Sequence, residues 1–328
     1  MNTAPSLSVV VCAYTLDRWD DLQAAITSVQ SQRRPADDIV LVVDHCPGLY
    51  RLARRWLPGV RVVPNQYQKG LSGARNTGVE AAVGDVVAFL DDDATAHPSW
   101  TDRLLTRYGD PDVVGVGGLV VPWWQNSRPA WFPPEFDWVV GCSYRGLPEE
   151  PSPVRNFIGA NMSFRRDTLL AVGGFRTDLG RVGTRPLGCE ETEMCLRITS
   201  RRPGAVLLYD PSAAVRHRVP SARADWSYFR SRCYAEGLSK ALVAQHSSGN
   251  AALSSERTYL RSTIPRAFRR ALGPARPAPL LTCAALSLGV GATAAGYAVG
   301  RARALRSARS SPGATTAPAR ELTRVGPS

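Results

Sequence analysis

Residues 69–93 read KGLSGARNTGVEAAVGDVVAFLDDD. The spacing predicts a helix across residues 71–83, and the apolar run DVVAFL behind it predicts a buried strand. That strand ends in Asp91, Asp92 and Asp93. Like charges this close repel and resist ionising together, so carboxylates gathered where a buried strand surfaces need a positive partner. The alternative is a solvated acidic turn, or a helix cap ahead of HPSW, a common place for aspartate.

Upstream, LSVVVCAY is another buried run, and Trp19, Leu22, Ile26 and Val29 follow at helical spacing. DIVLVVD predicts a strand, residues 49–56 a helix and VRVVPN a third strand. This alternation predicts an α/β fold with a mostly parallel central sheet and helices on both faces. Downstream, VVGVGGLVV and AVLLYD add strands, FIGANMSFRR a strand or turn, and helices are expected near 168–171, over 191–200 and from Asp225 to about His246. Residues 122–156 keep no period and are rich in tryptophan and proline, which predicts a long functional loop. Its aromatics either stand exposed, to stack on sugars or meet lipid, or form a small core of their own.

A chain of 328 residues with 44% apolar content can bury a substantial core. Of its formal charge of +12, 12 Arg against 2 Glu from Glu256 onward place +10 in the last 73 residues. The body has no interleaved basic and aromatic patch, so nucleic acid is not an expected partner. A basic tail beside an apolar segment points instead to anionic lipid. Seven cysteines without a C-x-x-C pair predict reduced thiols. MNTAPSLSVVVCAY has no positive leader region, so the body is expected in the cytosol.

Between Arg276 and Arg301 lie 24 uncharged residues, enough to cross a hydrocarbon core of about 30 Å. Gly296 and Gly300 are spaced for close helix contact. The expected organisation is a catalytic domain over residues 1–220, a helical extension over 221–275, a transmembrane or membrane-associated segment over 276–300 and a disordered basic tail over 301–328.

In open α/β sheets ligands gather beyond the carboxyl ends of the strands. Tyr14 and Asp17, Asp44, and Asp91 to Asp93 all fall at such ends. Hard carboxylate oxygens suit Mg²⁺ or Mn²⁺, which bind through one or two carboxylates plus substrate phosphates. A metal–diphosphate is therefore the expected partner of the aspartates.

The ordered set of LVVD, GLSGARNTG, AVGDVVAFLDDD and GCEETEMCLR resembles the family 2 inverting glycosyltransferases of GT-A fold, over about residues 6–220. The resemblance implies a nucleoside-diphosphate sugar donor, with Asp44 at the base or ribose and Arg75 and Asn76 lining the donor site. It implies Asp91 and Asp93 as the DxD metal pair, Asp92 facing the sugar, and His217 as a further metal ligand. PAWFPPEFDWVVGC resembles the polyprenyl-type (dolichyl phosphate) hexose glucuronosyltransferases. That subgroup implies a polyprenyl- or dolichyl-phosphate-linked sugar acceptor at the cytoplasmic face of the membrane.

Inverting transfer needs a base to take the acceptor hydroxyl proton. Glu190, Glu191 and Glu193 open one helix, and neighbouring carboxylates raise one another's pKa. Matched to the family's E-D-T-E pattern, Glu191 takes the base position, with Glu190 one residue away. Acids at a helix start also complement its dipole, which accounts for the others. A sugar nucleotidyltransferase would need a Gly-rich phosphate loop after the first strand, and CAYTLDRWDD has no glycine. A non-catalytic sugar-nucleotide-binding protein would lack the acidic helix, and a polysaccharide could replace a lipid-linked acceptor. Asp93 is expected at a solvent-facing strand end. All the proposed donor ligands lie between Tyr14 and His217, so the tail is expected to be separable from donor chemistry.

Overall fold

The computed structural model describes residues 5–179, 188–246, 253–273 and 278–310. The first half runs β1 (Leu7–Ala13), α1 (Trp19–Gln30), β2 (Asp38–Val43), α2 (Pro47–Trp56), β3 (Arg61–Pro64), α3 (Leu71–Ala81) and β4 (Val86–Asp91). Strands β3, β2, β1 and β4 lie side by side and parallel. β1 feeds two cores because its side chains alternate across the sheet. Val9 and Val11 meet Leu22, Ile26 and Val29 of α1, whereas Val10 meets Ala74 and Val79 of α3. Gly78 lets α3 sit against the sheet, since a Cβ there would stand 2.4 Å from Val10 Cγ1.

The second half runs β5 (Ala94–Ala96), α4 (Trp100–Arg107), β6 (Val113–Trp124), β7 (Ser152–Pro153), β8 (Asn161–Arg165), α5 (Arg166–Val172), α6 (Glu190–Arg201) and β9 (Val206–Val219). Here the expectation of a mostly parallel sheet gives way to a mixed one, in the order β3-β2-β1-β4-β8-β6-β9-β5. β8 runs antiparallel to both β4 and β6. The reason is connectivity: the connection from β6 brings the chain back at the same end of the sheet where β6 leaves it, so β8 runs the other way. β5 and β7 are too short for the sequence pattern to register.

The tryptophan and proline segment is no exposed loop. It contains a 3₁₀ helix at Pro134–Val140 and packs on α7 (Trp226–His246). Trp131 stacks on Trp226 at 4.0 Å between centroids, and Phe132 and Phe136 each lie 5.3 Å from Phe229. Of the expected roles for these aromatics the core prevails, with Trp123 exposed at its rim.

After α7 come α8 (Ser254–Thr258), a π-helical turn at Tyr259–Thr263, α9 (Ile264–Ala271) and α10 (Pro279–Ser310). The apolar segment is helical and lies parallel to α7, with Tyr234 beside Gly296 and Ala241 beside Gly300. A Cβ on Gly296 would stand 2.0 Å from the Tyr234 carbonyl oxygen, and one on Gly237 2.1 Å from that of Thr293. The glycine spacing thus serves a contact within the chain. Residues 279–306 are long and apolar enough to cross a membrane, with 28% buried against the protein. Disorder from residue 301 fails over its first ten residues, where α10 continues to Ser310. The expectation for residues 311–328 lies outside the described residues.

Candidate active site

A cavity of about 1080 Å³ opens at the carboxyl ends of β1, β2 and β4. β4 delivers Asp91 to it, and strand pairing completes an acidic cluster. β5 pairs with β9 so that Ala94 faces His217, and the backbone N–H of Arg218 donates to the Asp93 carbonyl at 2.9 Å. His217 Nε2 then lies 3.1 Å from Asp93 Oδ1, with Nδ1 toward Cys142 Sγ at 3.7 Å. Ligand atoms of Asp91, Asp93 and His217 all fall within 4.8 Å of one another. Two carboxylates and an imidazole with an outward nitrogen fit a small divalent cation.

Asp93 is buried, contrary to the expected solvent-facing position, because β9 and Arg18 cover it. Arg18 Nη1 lies 2.8 Å from both Asp92 Oδ1 and Asp93 Oδ2, and Arg223 approaches Asp93 at 3.9 Å. Burial alone would raise the Asp93 carboxyl, but His217, Arg18 and Arg223 outweigh it and hold it well below the carboxylate range. Burial pushes Asp92 the other way, up to about 8, with Asp93 and Asp91 adding to it against the pull of Arg18. Asp92 Oδ2 is buried and meets no hydrogen-bond partner among the described residues.

On the facing wall, α6 presents its first turn. Arg75 Nη1 donates to Glu190 Oε1 at 2.8 Å and Nη2 to the Gly159 carbonyl at 3.2 Å, with Asp91 Oδ1 at 3.7 Å. Arg75 therefore ties the two walls together. Glu193 is held by Arg197 one turn on, at 2.7 Å. Glu191 lines the cavity, half-buried and clear of any ion pair among those the described residues form. Burial first, then the neighbouring Glu190 charge, push its carboxyl up to about 8 against the pull of Arg75. Of the three glutamates, Glu191 is the one without an ion pair among the described residues.

The Glycosyl transferase family 2 model matches residues 8–173. The chain belongs to this family. It is 37% identical to the glucosyl-dolichyl phosphate glucuronosyltransferase of Haloferax volcanii over 241 residues, 72% of this chain and 77% of that one. Among solved structures it is similar to the mannosyltransferase of Pyrobaculum calidifontis in complex with GDP-Man and Mn²⁺, with TM-score 0.56 and 19% identity over 94% of this chain and 81% of that one. GalNAc-T7 with UDP, GalNAc and Mn²⁺ gives TM-score 0.52 and 18% identity, over 80% of this chain and 55% of that one. The fold is GT-A, and the protein is a glycosyltransferase.

Within this glycosyltransferase most expected site residues converge. Tyr14, Asp44, Arg75, Asp91 to Asp93, Glu190, Glu191 and His217 all line the cavity. Both Asp44 oxygens are already engaged, by Asn65 Nδ2 at 2.7 Å and the Gly70 N–H at 3.0 Å, which fixes the turn into α3. Two expected residues, Asp17 and Asn76, do not line the cavity. Asp17 is exposed, accepts from the Thr15 hydroxyl at 2.8 Å and does not line the cavity. Asn76 is one residue past Arg75, so the helix turns it away from the cavity; its amide exchanges hydrogen bonds with the Phe175 backbone at 2.8 and 2.7 Å. Arg18 and Arg223 were missed, since a lone arginine after a strand or in a turn carries no periodic signal.

Proposed function

We propose that this glycosyltransferase moves a sugar, with inversion, from a nucleoside-diphosphate sugar, UDP-linked, to a hydroxyl of a lipid-linked glycan at the cytoplasmic face of the membrane, with Mn²⁺ or Mg²⁺. The observation that carries the reading is one cavity with a cation site on one wall, Asp91, Asp93 and His217, and an untied glutamate of raised pKa, Glu191, on the other. A divalent ion bound there supplies positive charge to a diphosphate leaving group. Arg18, held by Asp92 and Asp93 beside the cation site, would add a second positive charge for the same phosphates. Asp44 and Tyr14 flank the nucleotide end, and Asp92 faces the sugar. Glu191 accepts the acceptor hydroxyl proton as that oxygen attacks the anomeric carbon, and Arg75 keeps Glu190, Asp91 and thereby the two walls in register.

The Haloferax relative's name specifies a dolichyl phosphate-linked glucose as its acceptor, which supports a lipid-borne acceptor here. α10 supports membrane association, because Leu280 and Leu281 stand exposed at its start, and Leu305 stands exposed among Arg301, Arg303 and Arg306 near its end. Seating in the plane of the interface fits better than a full crossing, since α7 lies along α10 and would carry Arg230, Arg232, Glu236 and Lys240 into hydrocarbon. Incubating the purified protein with UDP-, GDP- and dTDP-sugars and Mn²⁺, with and without a prenyl-phosphate glycoside, tests the reading. Metal-dependent donor turnover with product on the lipid is expected. Transfer to soluble polysaccharide in preference to the lipid would move the acceptor assignment.

A further inference from the structure

The cavity does not end at Glu191. It continues between α7, α8 and α10, where Val290, Ala294 and Tyr297 of α10 line the same space as Asp91. These three recur at i, i+4 and i+7 and so form one stripe of the helix. Leu260, half exposed, lies at this end too. The cavity thus has a polar donor end and an apolar end walled by the helix whose other sides present exposed leucines.

A charged group that donor chemistry does not use borders the apolar end. Arg155 grips Glu256 through both terminal nitrogens at 2.5 and 2.8 Å, and Lys240 Nζ lies 2.5 Å from Glu256 and 3.1 Å from Glu236. All four side chains are largely buried, yet all line the cavity. With Arg232, which approaches Glu236 at 4.0 Å, three cations meet the two carboxylates of Glu256 and Glu236, an excess of positive charge that can admit an anion beside them, and Arg155 and Lys240 are both charge-assisted donors to phosphate oxygens.

We infer that this end is the acceptor's phospholipid site: Arg155 and Lys240 receive the phosphate of a polyprenyl-type phosphoglycan, and Val290, Ala294 and Tyr297 of α10 carry the first part of its chain. The inference rests on the proposed lipid-linked acceptor and deepens it. Because α10 faces the cavity on one side and presents Leu280 and Leu281 outside, a carrier can pass from a bilayer to the site along one helix without exposing its chain to water. It also makes the tail part of the acceptor site, while donor chemistry stays separable from it.

Two variants of the full chain in lipid vesicles test this. Ala294→Trp fills the apolar wall at a position that is exposed and so tolerates bulk. Lys240→Gln with Glu236→Gln removes one cation and one carboxylate together and leaves Arg155 paired with Glu256. Ala294→Trp is expected to raise KM for a long-chain prenyl-phosphate glycoside tenfold or more, with the nucleotide-sugar KM and donor hydrolysis within twofold of the parent. The double variant is expected to erase the preference for that acceptor over the same prenyl glycoside lacking phosphate. Unchanged acceptor KM and unchanged preference overturn the site while leaving the proposed function standing. Inorganic phosphate competing as well as the prenyl phosphate identifies an anion site alone and overturns the lipid assignment. Donor hydrolysis without transfer to any prenyl acceptor by the parent protein overturns the proposed function and this inference with it.

Discussion

Glu191→Gln keeps the side chain's shape and removes its ability to hold or lose a proton, so it separates catalysis from architecture. Glu191 is pushed up to about 8, chiefly by burial and then by Glu190. A base of that pKa is half deprotonated at pH 8 and about 1% deprotonated two units lower, so kcat/KM of the parent enzyme should fall by about 50-fold between pH 8 and pH 6, and Glu191→Gln should lose about 10²-fold or more at pH 8 and be flat across that limb. Stability supplies a readout independent of substrate. A carboxyl whose folded pKa is raised favours folding below its unfolded value of 4.5, and that contribution is lost as pH rises through about 8. The rise corresponds to at most ~5 kcal/mol at ~1.4 kcal/mol per pH unit, and the opening of Glu191 onto the cavity reduces the expectation to about 1–3 kcal/mol. Glu191→Gln should therefore gain stability over the parent between pH 6 and pH 9 in urea titrations. Near-parental activity with an unchanged acid limb, and a stability difference that does not move with pH, would refute the assignment. Loss of activity in Glu190→Gln alone would shift the base by one residue.

Asp93→Asn should bring nucleotide-sugar affinity measured by calorimetry with Mn²⁺ down to its metal-free value, with activity reduced about 100-fold or more; retained Mn²⁺ dependence would remove Asp93 from the cation site. Gly296→Leu should destabilise the protein by about 1–3 kcal/mol in thermal melts, because any Cβ there meets the Tyr234 carbonyl, whereas Gly291, which meets nothing within 4 Å, should tolerate alanine. On vesicles containing anionic lipid, the protein should stay in the pellet through a high-salt wash if α10 seats its apolar face, since a purely electrostatic tail would be released.

Much of the fold was legible because its signals are local. The runs LSVVVCAY, DIVLVVD and DVVAFL are apolar throughout, which is how strands covered on both faces read, and Leu22, Ile26 and Val29 sit three and four apart. The parallel half of the sheet follows from them. The antiparallel entry of β8 and the three-residue β5 did not, since neither has a pattern long enough to repeat. Position along a helix decided the fate of Asn76, where one residue is about 100° of rotation, and a hydroxyl two residues away claimed Asp17.

Covalent order alone gathers the strand-end aspartates, the acidic start of α6 and the uncharged helix, so these could be read from the chain. Which of them meet depends on how the distant segments pack. His217 reaches Asp93 through the register of β5 on β9, across more than a hundred residues of chain. Arg75 on α3 binds Glu190 at the start of α6, across more than a hundred residues of chain, while Glu191 beside it forms no ion pair among the described residues. α10 becomes a wall of that cavity because glycines on two helices let their backbones touch. Each is a contact between segments distant in sequence, set by packing and strand register, which local propensity does not encode.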